Sequence, residues 1–421
     1  RMIIRAGTVV TMDGPPIENG AVAASGGRIT NVGKFSDISA TNSGEQIVDL
    51  GEQALLPGLI NAHCHLDYTC LRGKIPPSKS FTEWIRAINA EKANLSPEDY
   101  IRSINDGFAE AKRFGTMTLA NLTGFPELIR RIKSLVRTWW FAELIDVGDP
   151  SRANEVVDLA VEKLKSGEHW GLAPHAPFTA SANLYRRCEE IAQRENVLLT
   201  THLAESREEA SMFQEGSGPL YDFLKEIGRN MSACGRQTPV GYFLSIAGRG
   251  GSANRSEPDG RSQAIEVNRP YLVAHLNEVT ESDFNLLERP AKNFSIIHCP
   301  RSHAYFGHSP FQFHKLRKGG LNICLGTDSL ASNEDLSLFA EMQAFQKRFP
   351  NVSAEEIVKM VTTNSARALR QENSLGKVRS GFVADLIAVP CAGSTSALEE
   401  IVAFDRPVSW SMVGGQVQNS A

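Results

Sequence analysis

Eight short runs of apolar or β-branched residues recur through the middle of this chain, and most of its histidines stand where those runs end. The runs cover 55–62, 116–122, 138–146, 170–174, 197–201, 271–274, 294–298 and 322–327. Helical patterns separate many of them. Ser96-Pro97-Glu98-Asp99 reads as an N-cap, a proline at the first helical position and an acid three residues past the cap. Ile101, Ile104, Phe108 and Ala111 follow at helical spacing, and Gly115 closes the segment. Ser353 and Glu356 open a second such pattern, carrying Ile357, Met360 and Val361. Strands alternating with helices argue for an α/β fold with a parallel sheet. A closed (β/α)8 TIM-like barrel is the expected form, and an open doubly wound sheet is its rival. The dinucleotide fingerprint G-x-G-x-x-G and the phosphate-binding P-loop are both absent.

The two ends of the chain read differently from the middle. Residues 1–54 break into short β-rich pieces, and residues 376–421 contain similar ones, among them 381–389, 407–413 and 414–417. Chain termini often lie close together. Both ends are therefore expected to join in one small β-sandwich domain, interrupted by the barrel over 55–375. Residues 248–270, rich in Gly, Ser, Asn and Arg, read as a long surface loop, with a lid as the functional alternative.

Composition works here by exclusion. With 44 Lys and Arg against 48 Asp and Glu, the formal charge of -4 gives no footing for nucleic acid. No apolar run approaches the roughly 18 residues of a membrane span, and Arg1-Met2-Ile3-Ile4-Arg5 lacks the pattern of a secretory signal. Seven cysteines at 64, 70, 188, 234, 299, 324 and 391 show no paired spacing, which favours reduced thiols and a cytoplasmic setting. A small-molecule substrate is expected as partner, and a homodimer is compatible with the chain.

The strand ends carry the chemistry. His63 and His65 end the first run, and residues i and i+2 of a strand point to one side. By the same rule Cys64, between them, points away into packing. His175 ends the fourth run, His202 and Glu205 the fifth, His275 the sixth, His298 the seventh and Asp328 the eighth. In a (β/α)8 barrel these ends open onto one face. His63, His65, His202 and Asp328 offer three imidazoles and a carboxylate, a set suited to one divalent ion, Zn(II) ahead of Fe(II). Glu205 and His275 are the candidate proton carriers. Their plainer readings are a helix-start acid and a hydrogen-bonded core histidine.

The segments His63-Cys64-His65, Thr201-His202-Leu203-Ala204-Glu205, Ala274-His275, His298-Cys299-Pro300-Arg301-Ser302 and Gly326-Thr327-Asp328-Ser329-Leu330-Ala331-Ser332-Asn333 occur in that order. Together they resemble the amidohydrolase superfamily. The branch they look most like holds the adenosylhomocysteine/methylthioadenosine, aminofutalosine, guanine and pterin deaminases and the triazine hydrolases. The resemblance implies a metal-dependent hydrolytic deaminase that releases ammonia from an amino-substituted aromatic heterocycle, with an adenine-type nucleoside as the leading substrate. It implies a mononuclear metal on His63, His65, His202 and Asp328, with water deprotonated by His275 and Asp328. Glu205 would protonate the ring nitrogen beside the carbon attacked. His175 would contact substrate, and Glu83, before Trp84, would sit where nucleoside deaminases touch ribose. Arg301-Ser302-His303-Ala304-Tyr305-Phe306-Gly307-His308 departs from the branch's usual pattern, placing His303 and His308 where substrate is selected. Their plainer reading is as solvent-exposed loop histidines.

Three rivals keep some or all of this frame. A binuclear cyclic amidohydrolase normally needs a carboxylated lysine at the end of strand four, and Trp170-Gly171-Leu172-Ala173-Pro174-His175 has none. An inactive scaffold would be expected to have eroded ligands. A triazine-type chlorohydrolase shares nearly all the machinery, and Glu205, able to assist an amine leaving group, tilts the choice to deamination.

Overall fold

The computed structural model describes residues 1–41, 44–247 and 269–418. The expected loop or lid over 248–270 therefore lies, apart from Arg269 and Pro270, outside the described residues.

The N-terminal strands are β1 (Met2–Val9), β2 (Ile17–Ser25), β3 (Arg28–Lys34), β4 (Gln46–Asp49) and β5 (Gln53–Pro57). Eight strands follow with helices between them: β6 (Leu59–Cys64), β7 (Thr116–Thr123), β8 (Arg137–Leu144), β9 (Trp170–Pro174), β10 (Leu198–Leu203), β11 (Tyr271–His275), β12 (Phe294–His298) and β13 (Asn322–Leu325). The chain ends with β14 (Leu386–Pro390), β15 (Trp410–Val413) and β16 (Gln416–Gln418).

Strands β6 to β13 pair in sequence order, all parallel. The seam closes where the carbonyl of His63 accepts the backbone N–H groups of Thr327 and Asp328, each at 3.1 Å. Asn61 reinforces it by donating from Nδ2 to Thr327 Oγ1 at 2.7 Å. The approach is so close that a Cβ on Gly326 would stand 2.7 Å from the His63 carbonyl oxygen, so only glycine fits. The expected barrel is thus present, with all eight strands in the expected places, and the open-sheet rival is set aside.

Strand alternation divides the barrel's residues in two. Ile60, Ala62, Ala120, Leu122, Phe141, Ala173, Leu272, Ile297 and Cys324 fill the interior. Their neighbours Leu59, Met117, Leu119, Ala142, Leu172, Leu199, Ile296 and Ile323 pack against the helices outside. The helix Pro97–Arg113 begins at the expected capping box, Ser96 with Asp99, and buries Ile104, Phe108 and Ala111. Ser353 likewise caps the helix Ala354–Met360.

Both chain ends join in one mixed sheet, in the order β16-β15-β14-β5-β1-β2-β3 with β4 also beside β1. Residues 55–57 belong to that sheet: β5 pairs antiparallel with β14, Leu55 facing Ala388. The apolar run over 55–62 is therefore two strands hinged at Gly58, where a Cβ would stand 2.3 Å from Met117. No helix among the described residues is long and apolar enough to cross a membrane.

Candidate metal centre and active site

Interior residues fix the direction of the site. From Ile60 and Ala62 inward, strict alternation would turn His63 outward. The register of β6 against β7 shifts between Asn61 and Cys64, and a bulge of this kind re-aims side chains. His63 and His65 consequently face the barrel mouth together. Cys64 turns out, buried, with its Sγ 3.6 Å from the Ala120 carbonyl, as expected. Even-numbered residues of β10 point inward, which brings in His202. Phase-keeping residues beyond β9 and β13 bring in His175 and Asp328.

The geometry around the three imidazoles fits a cation. His202 holds its Nδ1 2.8 Å from the His175 carbonyl, so that nitrogen donates and Nε2 presents a lone pair. His65 turns its Nε2 towards His202, while its Nδ1 lies 3.8 Å from Glu143 Oε1, beyond a hydrogen bond. These two Nε2 atoms approach to 3.2 Å. Ligand atoms on one tetrahedral zinc, at about 2.0–2.1 Å bonds, stand about 3.3 Å apart. His63 Nε2 is buried with no hydrogen-bond partner among the described residues, and Asp328 Oδ1 lies 3.8 Å from both His63 Nε2 and His65 Nε2. Burial holds His65 and His202 well below the usual imidazole range, His202 at about 3, so both are neutral and able to ligate. Burial opposes ionisation of Asp328, but the imidazoles of His63, His275 and His65 outweigh it and hold its carboxyl well below the usual range. Ser302 Oγ donates to Asp328 Oδ2 at 2.7 Å and the Ser329 N–H to Oδ1 at 2.8 Å, fixing the carboxylate.

A second trio, Glu205, His275 and Asp328, adjoins this one, its donor atoms all within 4.8 Å of one another. His275 Nε2 is 3.6 Å from Glu205 Oε2. Ala204, His275, Leu276 and Asp328 all take left-handed backbone angles, with φ of 50, 75, 52 and 58°. These turns at the strand ends swing His275 and Asp328 over the mouth. Such strain persists only where neighbours hold it. Here the buried Glu209 carboxylate accepts the N–H groups of Ala204 and Glu205, at 3.1 and 2.8 Å. Asn277 Nδ2 donates to the Glu205 carbonyl at 3.0 Å. Burial, reinforced by the charge of Asp328, pushes the Glu205 carboxyl well above its usual range, so it carries a proton. Burial also holds His275 low and neutral.

These groups open onto a cavity of about 250 Å³. His65, His202, Glu205, His275 and Asp328 form its floor and His175 and Trp84 part of its wall. His175 donates or accepts through Nδ1 at Thr179 Oγ1, 2.5 Å away, and burial lowers it to about 3.

Glu83 is a correction. Along the helix Phe81–Lys92, residues Phe81, Trp84, Ile85, Ile88, Asn89 and Lys92 line the cavity. At about 100° per residue Glu83 falls on the opposite side. Its exposed carboxylate stands 3.7 Å from Arg86 Nε, outside the cavity lining. His303 and His308 do not line this cavity either. Nor are they exposed loop residues. His303, in the helix Pro300–Phe306, spends Nε2 on the Ser309 carbonyl at 2.8 Å. His308 is nearly enclosed, stacked on Phe306, with Nε2 3.8 Å from Glu205 Oε1. His298, at the seventh strand end, stacks on Phe311 at 3.9 Å and takes no part.

Two charged wall residues went unremarked in the sequence, Glu143 and Lys92. Trp139, Phe141 and Glu143 share the inward phase of β8. An acid on that phase at the strand's far end is a signal in the sequence. Lys92 shares the helix stripe that carries Ile85, Ile88 and Asn89.

The sequence profile of the amidohydrolase family matches residues 54–417. A 5-methylthioadenosine/S-adenosylhomocysteine deaminase from Syntrophobacter fumaroxidans is 28% identical over 408 residues, spanning 92% of this chain and 84% of the relative. Among solved structures, Helicobacter pylori aminofutalosine deaminase in complex with methylthio-coformycin superposes with a TM-score of 0.86 at 19% identity, covering 99% of this chain and 100% of that one. A variant of atrazine chlorohydrolase from Arthrobacter aurescens TC1, complexed with zinc and atraton, gives 0.78 at 18% identity, covering 100% and 95%.

Proposed function

This chain belongs to the amidohydrolase family, and we propose that it is a mononuclear metal-dependent deaminase of an adenine-type nucleoside. It is a hydrolase of carbon–nitrogen bonds. The observation that carries the finer reading is the 3.2 Å approach of two imidazole Nε2 atoms beside a buried carboxylate, with the buried carboxyl of Glu205 adjoining. The named activities of the methylthioadenosine/adenosylhomocysteine deaminase relative and of the aminofutalosine deaminase neighbour support the nucleoside.

His63, His65, His202 and Asp328 would hold the cation, zinc ahead of iron. When bound, such an ion supplies Lewis acidity and lowers the pKa of water from 15.7 towards about 7. Asp328 and His275 accept the proton of the attacking water. Glu205 delivers its proton to the ring nitrogen beside the carbon attacked, which makes that carbon electrophilic. The proton gathered at His275 then passes to the amine, which leaves as ammonia as the carbon–nitrogen bond breaks; the ring keeps the water's oxygen as a carbonyl, and the second proton of that oxygen returns to Glu205. His175 and Trp84 bind the heterocycle's surroundings, and the apolar wall of Phe81, Ile85, Ile88 and Phe306 excludes bulk water. His308 borders the Glu205 carboxyl at 3.8 Å.

The test is ammonia release from zinc-loaded protein offered adenosine, methylthioadenosine, adenosylhomocysteine, guanine and a pterin. Release from the adenine nucleosides is expected. Release from none of the five would overturn the reading.

A further inference from the structure

Three carboxylates reach the cavity, and the reaction proposed above uses two of them. The third, Glu143, comes from the end of β8. In the circular order of strands it stands between β6 and β10, whereas Glu205 and His275 occupy the interval from β10 to β13. Glu143 is thus across the metal-ligand trio from the proton-donating glutamate. Its side chain is 10% exposed, and Oε1 is buried without a hydrogen-bond partner among the described residues. The nearest imidazole nitrogen, His65 Nδ1, is at 3.8 Å, beyond a hydrogen bond. Lys92, the other charged group on this wall, has its ammonium 5.0 Å above the ring of Tyr68. A buried acceptor with no donor is unfavourable. The arrangement asks for one.

A second cation does not answer that need. Glu143, His175 and His202 come within 4.8 Å of one another. Yet His202 has Nδ1 on the His175 carbonyl and Nε2 against His65, and His175 has Nδ1 on Thr179. Only one nitrogen and one carboxylate remain, too few for a metal site. A carboxyl oxygen that stands buried and unpartnered offers an acceptor, so the group that meets Oε1 must bring an N–H or O–H.

We propose that Glu143 is the specificity-determining residue of this site, accepting a hydrogen bond from a donor on the substrate's side remote from Glu205. The inference rests on the deaminase reading. The donor is either an amino group on the heterocycle or a hydroxyl on the attached sugar, and two substrate pairs separate them. Adenosine against 2,6-diaminopurine riboside varies the amino group. Adenosine against 2′,3′-dideoxyadenosine varies the hydroxyls.

The experiment compares kcat/KM for these compounds in zinc-loaded wild type, Glu143→Gln and Glu143→Leu, with zinc content and thermal unfolding of each. Wild type should favour the donor-bearing member of one pair by about ten- to a hundredfold, the range for leaving a buried polar group unpaired. Glu143→Gln should reduce that preference and Glu143→Leu abolish it, with zinc content unchanged. Loss in the first pair assigns the amino group and loss in the second the hydroxyls. Preferences unchanged in both variants would overturn the proposal. So would lowered zinc with an equal loss on every compound, because Glu143 would then only orient His65. If wild type released no ammonia from any of these compounds, the deaminase reading would fail first. Calorimetric binding of the same nucleosides would then judge Glu143 separately. A donor preference lost in Glu143→Leu would uphold it, and wild-type binding absent or indifferent to the donor would overturn it.

Discussion

Going round the barrel mouth, the interval from β10 to β13 and the interval from β6 to β10 are built on different principles. In the first, the protein itself fastens the Asp328 carboxylate and the backbone that carries Glu205. Asp328 is held by Ser302 and the Ser329 N–H, and the backbone of Glu205 by Glu209 and Asn277. In the second, Glu143 Oε1 has no partner among the described residues, and Lys92 rests over an aromatic face. Around them the wall is apolar: Ile85, Ile88, Phe178 and Leu220. Groups that must stand still for proton transfer are pre-organised. Groups that wait for a ligand are left with unused bonding capacity. The contrast separates a chemical half of the site from a recognition half.

Breaking the chemical half should have the largest effect. Asp328→Asn removes the only anionic ligand of the set. Lewis-acid stabilisation of several kcal/mol corresponds to about a thousandfold or more in rate. Bound metal and ammonia release should therefore fall together. Full activity with metal retained would contradict the ligand role. Next, Glu205→Gln should keep one metal per chain yet lower kcat by about 10²- to 10⁴-fold, the usual weight of a positioned proton donor. A variant that turns over like the parent would remove Glu205 from the chemistry.

The recognition half should respond more gently and more selectively. Glu143→Leu should redistribute kcat/KM among substrates rather than depress all of them. Back in the chemical half, Ser302→Ala, which leaves Asp328 with one fewer donor, should weaken metal affinity by about tenfold. Chelator competition would measure it, and an unchanged affinity would show that Ser329 alone suffices. At the smallest end, Ile4→Val in the terminal sheet, where Ile4 is fully buried, should cost about 0.5–1.5 kcal/mol of stability and leave kcat/KM untouched. A change in kcat/KM there would mean the sheet and the mouth are coupled.

The chemical half was also the half legible in the sequence. Alternating apolar runs announce strands, and a (β/α)8 barrel gathers strand ends at one face, so His63, His65, His202, His275 and Asp328 could be brought together without coordinates. What period 2 could not reveal was the means. The register shift in β6 that turns His63 inward, and the left-handed angles at His275 and Asp328, depend on tertiary neighbours. The recognition half depends on which face a helix presents. Glu83 was expected at the substrate on a positional resemblance, but the helix Phe81–Lys92 buries the stripe through Trp84, Ile88 and Lys92 and turns Glu83 away. Glu143 shares the inward phase of Trp139 and Phe141, a signal that the apolar run over 138–146 masks. Leu55 and Leu56 were read as barrel because their apolar run continues through Gly58 into the first barrel strand, while pairing with β14 places them in the terminal sheet.

Stripping the metal and restoring zinc in steps, with ammonia release from methylthioadenosine recorded at each, tests the central claim most directly. Activity should rise in proportion and level off at one zinc per chain. A plateau at two zinc per chain, or ammonia release independent of zinc, would contradict a single cation held by His63, His65, His202 and Asp328.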